Sequence, residues 1–191
     1  MSDTERIAAG LRALARDAAN VAADVDALAP AVAAMRRTLE RGGTLFFAGN
    51  GGSAADAQHI ATEYVVRFHA THRRALRAMA LTTDTSLLTA AANDLGFEEV
   101  FARQVEALAR PGDTLVLHST SGNSANLVRA AQQARAMAVT VVALLGGDGG
   151  ELAGCVDHAF VVASRGTARV QELQLAIQHQ IADILTSEFA A

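Results

Sequence analysis

Residues 114–124 have the sequence TLVLHSTSGNS, and this stretch decides how the rest of the chain is interpreted. Its first half is a continuous, mostly apolar run, which is typical of a strand covered on both faces. Four hydroxyl residues around one glycine follow, and a helical pattern starts at about residue 123. A strand that passes through a polar loop into a helix is one unit of a parallel α/β sheet.

The same alternation recurs along the chain. It predicts an α/β fold with a doubly wound, five-stranded parallel sheet of the flavodoxin-like type, in which ligands bind beyond the carboxyl ends of the strands. No linker or repeat divides residues 1–191, so we expect one domain. The other predicted strands are residues 44–48, 78–81, 139–145 and 158–163, and the other predicted core helices are about 53–68, 85–109 and 167–189.

The N-terminal residues 3–41 are helix-periodic and rich in Ala and Leu, and Pro30 is placed to open a second helix. Helices of this composition have no position in the minimal sheet. We therefore expect residues 1–41 to be an oligomerisation segment of a homo-oligomer, and residues 42–191 to form the α/β core. Packing of these helices within a single chain remains the alternative.

Composition excludes several classes of function. The net charge of −4 provides no basic face for nucleic acid. The single cysteine, Cys155, excludes an intramolecular disulfide and every multi-cysteine zinc motif. No apolar run reaches the ~20 residues that span a bilayer, and the N-terminus does not resemble a signal peptide, so we expect a cytoplasmic protein without a membrane partner.

Two loops are candidates for binding an anion. The glycine loop, residues 49–53 (GNGGS), follows the first strand. It is either a ligand site or a tight turn, with Ser53 as the N-cap of the next helix. The hydroxyl loop, residues 119–124 (STSGNS), contains more small polar residues than a turn needs. It therefore favours a site in which hydroxyls and helix N-terminal amides hold a phosphate.

The helix after the glycine loop has a polar stripe. A 100° step places Asp56, His59, Glu63 and Arg67 on one side, opposite an apolar face that includes Val65 and Phe68. The stripe is either a solvated face with i,i+4 charge pairs or a site in which His59 and Glu63 bind a metal or transfer protons.

These motifs together resemble the SIS (sugar isomerase) domain family, and within it the phosphoheptose isomerases. The resemblance rests on both loops, on Asn93-Asp94, and on residues 57–63 and 169–172, and it extends from about residue 10 to the end. It implies that the hydroxyl loop holds a sugar phosphate, and it implies a tetramer. The substrate-binding residues it implies are Asn50, Gly51, Gly52, Ser53, Asn93, Asp94, Ser119, Thr120, Ser121, Ser124 and Gln171.

The resemblance also implies a divalent metal, usually zinc, with His59, Glu63, Gln171 and His179 as ligands. Gln171 and His179 are eight residues apart, a rise of ~12 Å in a regular helix. Either Gln171 lies before the regular helix, or these ligands do not all bind at once.

The implied reaction converts sedoheptulose 7-phosphate to D-glycero-D-manno-heptose 7-phosphate through an enediol, for activated-heptose biosynthesis. We assign Glu63 as the base, His179 as the acid and Asp56 as a residue that orients His59 or a water. If metal is bound, a Lewis-acid role at the carbonyl is the alternative.

Two residues depart from the family pattern. The family usually has His where this chain has Gln174, and an aliphatic residue where it has His118, and we interpret both as tolerated surface or packing variation. Alternative functions are a non-catalytic member that binds a protein, similar to the replication-initiator-associating protein, or an isomerase of arabinose 5-phosphate or hexulose 6-phosphate. A phosphosugar-responsive regulator is disfavoured because no helix-turn-helix or basic region precedes the domain.

Overall fold

The computed structural model describes residues 1–69, 73–164 and 166–189. Its centre is a parallel sheet whose five strands all coincide with predicted strands, because each is a short apolar run; the three central strands are buried, and the two edge strands are partly exposed. The strands are β1 (Leu45–Gly49), β2 (Ala78–Ala80), β3 (Thr114–Ser119), β4 (Thr140–Leu145) and β5 (His158–Val161).

Helices connect successive strands and extend the chain at both ends, which gives the predicted doubly wound α/β architecture. The helices are α1 (Asp3–Ala23), α2 (Ala29–Glu40), α3 (Gly52–Val65), α4 (Thr85–Asp94), α5 (Ala102–Leu108), α6 (Ala125–Ala136), α7 (Gly150–Ala153) and α8 (Thr167–Ser187).

The strand order is β2-β1-β3-β4-β5, with every neighbouring pair parallel. The chain moves outward from β1 to β2, returns across β1 to β3 and then continues in the other direction. The reversal lies between β1 and β3, which are paired with Gly49 opposite His118. This is the position at which sheets of this type bind ligands, and both predicted loops begin there.

Alternate residues of the strands contribute to two separate cores. Phe47, Val116 and Leu144 belong to the core beneath α2, α3 and α8, whereas Phe46 and Leu117 belong to the core beneath α4, α5 and α6. Both sheet faces are therefore covered, as the continuous apolar strands predicted.

Two helix predictions are wrong in detail. The predicted helix 85–109 is divided into α4, a 3₁₀ turn and α5, because Gly96 has a φ of +100°, which an α-helix cannot accommodate. Helix α3 ends at Val65 rather than at residue 68, and Val65, predicted to be buried, is 42% exposed.

The N-terminal region forms two helices joined by a 3₁₀ turn, and Pro30 lies in the first turn of α2 as expected. Helix α1 contains no fully buried residue, and Ile7 and Leu11 on it are more than 60% exposed. No single helix among the described residues is long and apolar enough to cross a membrane, although α1 and α2, bent by 66°, reach that length and composition together.

Candidate functional site

The hydroxyl loop connects the buried strand β3 to α6. Oγ of Ser119 accepts a hydrogen bond from the backbone N–H of Gly122 at 3.0 Å, and Oγ of Ser121 accepts one from the N–H of Asn123 at 3.2 Å. Ser124 is the N-cap of the 12-residue α6, but within the described chain its hydroxyl makes no capping hydrogen bond. The loop thus presents hydroxyls beside a helix N-terminus, which is the arrangement that binds phosphate.

Gly122 gives this loop its shape. Its φ is +68°, and a Cβ there would lie 1.9 Å from the carbonyl oxygen of Gly149, at the start of α7. Only glycine permits this approach between two backbone segments.

The glycine loop begins α3 differently from the sequence-based prediction. Gly51, with a φ of +57°, is the N-cap residue, and Ser53 is buried in the first turn. The prediction of Ser53 as N-cap is therefore wrong, because the chain needs a positive φ one residue before the helix and glycine supplies it at low cost. Gly51 and Gly52 remain exposed at the surface of the site.

A pair of amides joins the two loops. Nδ2 of Asn50 donates to Oδ1 of Asn126, and Nδ2 of Asn126 donates back to Oδ1 of Asn50, each at 2.9 Å. Asn126 lies in the first turn of α6 and is only 3% exposed. The glycine loop and the hydroxyl loop therefore form one continuous surface at the β1/β3 edge.

Helix α8 reaches the same surface through Gln171. The side-chain amide of Gln171 donates to Oγ of Ser53 at 3.4 Å, and a Cβ on Gly52 would lie 2.7 Å from it. Gln171 lies inside the regular helix Thr167–Ser187, so the suggestion that it precedes that helix is wrong. Its contacts place its amide beside the glycine loop.

His59, Glu63 and His179 converge in the groove between α3 and α8, and we call them the His/Glu cluster. The Nε2 atoms of the two histidines are 2.8 Å apart, and Nε2 of His59 is 3.5 Å from Oε1 of Glu63. One ligand atom from each residue lies within 4.8 Å of the others. The polar stripe of α3 is thus part of a three-residue site completed by a helix 120 positions away in sequence.

Burial changes the pKa of one group in the cluster and of one group beside it. Partial burial, followed by the nearby His59, lowers the pKa of His179, although Glu63 opposes this. Burial raises the pKa of Asp56, and the charge of His59 counteracts it. Phe68 stacks on His179 with ring centroids 5.7 Å apart, which restricts the imidazole orientation.

The cluster has the donor set of a divalent metal site. Imidazole nitrogen and carboxylate oxygen are zinc ligands, and three protein ligands leave the open position that catalytic zinc sites have. Tetrahedral zinc with Zn–N distances of about 2.0–2.1 Å separates two nitrogens by about 3.3 Å. The rings, at 2.8 Å, need to move apart by about 0.5 Å, so the residues fit such an ion after a small adjustment.

Comparison with known proteins identifies the family. A model of the SIS domain matches residues 11–146. Phosphoheptose isomerase from Chlorobium phaeobacteroides is 54% identical over 160 residues, which are 81% of this chain and 71% of that protein. This chain belongs to the phosphoheptose isomerase family. A relative of the same name from Chlorobaculum parvum is 50% identical over 166 residues, with 86% and 79% of the two chains covered.

A solved phosphoheptose isomerase structure supports the same assignment. The enzyme from Neisseria gonorrhoeae superimposes with a TM-score of 0.90 at 41% identity, covering 97% of this chain and all of that one. At this similarity the five-stranded SIS fold is shared over nearly the full length of both chains.

Asn93 and Asp94, expected from the phosphoheptose isomerase pattern to contact the sugar, lie at the exposed end of α4. Nδ2 of Asn93 donates to Oδ1 of Asp94 at 2.7 Å. Across residues 1–69, 73–164 and 166–189, no hydrogen bond connects either side chain to the two loops. Their role in binding stays a prediction.

The two departures from the phosphoheptose isomerase pattern lie inside the protein. His118 is 1% exposed and Gln174 is fully buried, so the interpretation as surface variation is wrong, whereas tolerated packing variation stays a prediction. Burial lowers the pKa of His118 to about 4. Sequence reasoning also missed Asn126 and the stacking of Phe68. For Asn126 a signal was available, because it is a polar residue beside the hydroxyl loop at a helix position where an apolar, buried residue is expected.

Proposed function

We propose that this chain interconverts sedoheptulose 7-phosphate and D-glycero-D-manno-heptose 7-phosphate. The observation that carries the proposal is the convergence of His59, Glu63 and His179 on the helices that also contact the glycine loop. His59 lies six residues beyond Ser53, roughly 9 Å along the axis of α3. An extended seven-carbon sugar phosphate is long enough to cover this separation between the glycine loop and the cluster.

The loops hold the unreactive end of the substrate in this proposal. Thr120, Ser121 and Ser124 donate hydroxyl hydrogen bonds to the phosphate, and Ser119 shapes the loop through its bond from Gly122. Asn50, Gly51, Gly52 and Ser53, with Asn93, Asp94 and Gln171, contact the sugar. Binding energy from the phosphate then positions C1 and C2 beside the cluster.

The proton transfer between C1 and C2 is assigned to residues of the cluster. Glu63 removes the proton from carbon, and His179 donates a proton to the carbonyl oxygen as the enediol forms. Asp56, whose raised pKa reflects its burial, orients His59 or a water. His59, Glu63 and His179 would hold one zinc ion. Gln171 lies within the regular helix with its amide at Ser53, so we expect this implied fourth ligand not to bind the ion together with the other three. If the ion is bound, its Lewis-acid polarisation of the substrate carbonyl would be the alternative to proton donation by His179, because a metal-bound imidazole nitrogen has no proton to donate.

Residues 1–191 are proposed to act as a single SIS domain in a cytoplasmic homo-oligomer that binds neither nucleic acid nor a membrane.

 Two features support the homo-oligomer: an apolar groove of about 560 Å³ between α1, α2 and α8, and the exposed apolar residues Ile7 and Leu11 on α1. Residues 1–41 form most of its wall, and a second copy of the same helices matches its apolar character. A tetramer is the assembly that we expect, and sedimentation of the purified protein measures it.

The activity is tested with the purified protein and sedoheptulose 7-phosphate, with and without added zinc, by following aldose formation. We expect turnover by the wild type and a loss of about 10²–10⁴-fold in kcat for Glu63→Gln, which is the range for removal of a general base. Glu106→Gln is the matched control, because Glu106 is exposed and pairs with Arg103 on α5.

Two results count against the proposal. Absence of turnover under both conditions favours the non-catalytic, protein-binding alternative. Faster turnover of arabinose 5-phosphate or hexulose 6-phosphate than of the heptose phosphate assigns the chain to another SIS isomerase activity.

A further inference from the structure

Three glutamines of α8 face the sheet at spacings of three and four residues, and each contacts a segment that leads into one of the two loops. Gln171 reaches Ser53, as described above. Gln174 is fully buried, and its Nε2 donates to the carbonyl oxygen of Leu144 at 2.8 Å and to that of Ser119 at 3.3 Å. Nε2 of Gln178 lies 3.0 Å from Nε2 of His118.

The contacts of Gln174 connect the ends of two strands to the helix. Leu144 is near the end of β4, and Ser119 is both the last residue of β3 and the first residue of the hydroxyl loop. The Ser119 carbonyl also accepts a hydrogen bond from the N–H of Gly146 at 3.0 Å. One buried side chain thus fixes the start of the hydroxyl loop to the helix that carries His179 five residues later.

We propose that Gln174 is a positioning residue that sets the location of the hydroxyl loop relative to His179. This inference rests on the proposed function, in which the loop holds the phosphate and His179 acts at the other end of the substrate. The separation between these two points has to match the substrate, and a displacement of 1 Å is sufficient to reduce the rate by about 10²-fold. Gln174 acts through Ser119 and α8 and does not itself contact the reacting atoms.

Gln174→Met tests the proposal, because Met keeps the length of the side chain and removes the amide. We expect kcat to fall by about 10- to 100-fold. KM should change by less than about threefold, because Gly146 still holds the Ser119 carbonyl and the loop keeps its hydroxyls. A purely structural role predicts a changed thermal stability with an unchanged kcat per folded molecule. The matched control is Gln132→Met on the exposed face of α6.

A second readout does not require activity. Hydrogen–deuterium exchange of the peptide that covers residues 118–124 should be faster in Gln174→Met than in wild type, and unchanged in Gln132→Met. If the wild type shows no turnover, the proposed function fails, and the exchange rates alone decide the positioning role. If Gln174→Met does not fold, Gln174→Asn takes its place, because its shorter amide cannot reach both carbonyls.

The inference is overturned by a folded variant whose kcat stays within twofold of wild type, or by exchange in residues 118–124 that equals that of the Gln132→Met control. A proportionate rise in KM with constant kcat also contradicts it, because that pattern indicates a loss of binding rather than of positioning.

Discussion

The buried His118 makes the stability of this protein sensitive to acid. Its imidazole is 1% exposed, stacks near Phe47 with centroids 6.3 Å apart and contacts the amide of Gln178. Burial lowers its pKa from 6.5 to about 4. In the unfolded chain the same group is exposed to water and titrates near its ordinary pKa.

The difference in the pKa of His118 between the folded and unfolded states determines how stability changes with pH. Between pH 6.5 and pH 4 the unfolded state binds more protons at this residue than the folded state, so the free energy of unfolding falls as the pH falls. Above about pH 6.5 His118 is neutral in both states and the free energy of unfolding is at its full value. As the pH falls toward 4, that free energy decreases by a total of about 3 kcal/mol. Between pH 7 and pH 5 the expected loss is about 2 kcal/mol.

Urea unfolding of wild type and His118→Leu at pH 7 and pH 5 measures this loss. The Leu side chain does not titrate, and it leaves the amide of Gln178 without its hydrogen-bond partner. This loss lowers the free energy of unfolding by about 1–3 kcal/mol at both pH values, so it cancels when the change between pH 7 and pH 5 is compared for the two proteins. Because oligomerisation couples stability to concentration, both proteins are measured at one concentration. We expect wild type to lose about 2 kcal/mol more than the variant. Equal losses in the two proteins refute the burial argument.

Three further predictions concern the site. Gly122→Ala should lower the free energy of unfolding by more than about 2 kcal/mol, since its Cβ would lie 1.9 Å from the Gly149 carbonyl oxygen at a positive φ, and thermal denaturation measures this. Asn126→Leu should cost about 1–3 kcal/mol by leaving Asn50 unpaired, as measured by chemical denaturation, and an unchanged midpoint would contradict the amide pair. His59→Ala should weaken zinc binding at least tenfold in a chelator competition assay, and unchanged affinity would remove His59 from the metal site.

The fold was predictable because its signals are local. Each strand is a short apolar run, and the hydroxyl loop is marked by its composition, so the sheet and its ligand-binding edge follow from pattern alone. Local signals gave a wrong prediction where backbone geometry determines which residue caps a helix. Ser53 is a better N-cap residue by composition than Gly51, yet the positive φ of the turn favours glycine.

Contacts between distant parts of the chain could not be read from the pattern. The Asn50–Asn126 pair joins residues 76 positions apart, and the sequence marks neither residue as the partner of the other. The same limit applies to His118 and Gln174, which were identified as departures from the family but whose burial depends on how α8 crosses the sheet. The His59–His179 contact was anticipated through the family resemblance rather than through spacing.

The polar contacts of α8 explain how one helix register is selected. The apolar face of α8 repeats every four residues, so a shift by one turn exchanges Leu and Ile and keeps most of the packing. The repeating positions are Leu173, Ile177, Ile181 and Leu185.

The same shift disrupts the buried amides, in either direction. A shift that brings Gln178 to the place of Gln174 leaves Ala182 opposite His118, and the reverse shift leaves Val170 opposite the carbonyls of Ser119 and Leu144. Within the described residues, Oε1 of Gln174 and of Gln178 has no hydrogen-bond partner, so these side chains are costly compared with an apolar core. A buried polar group that costs stability but permits only one register is a known means of structural specificity. In this chain that register is the one that places His179 against His59.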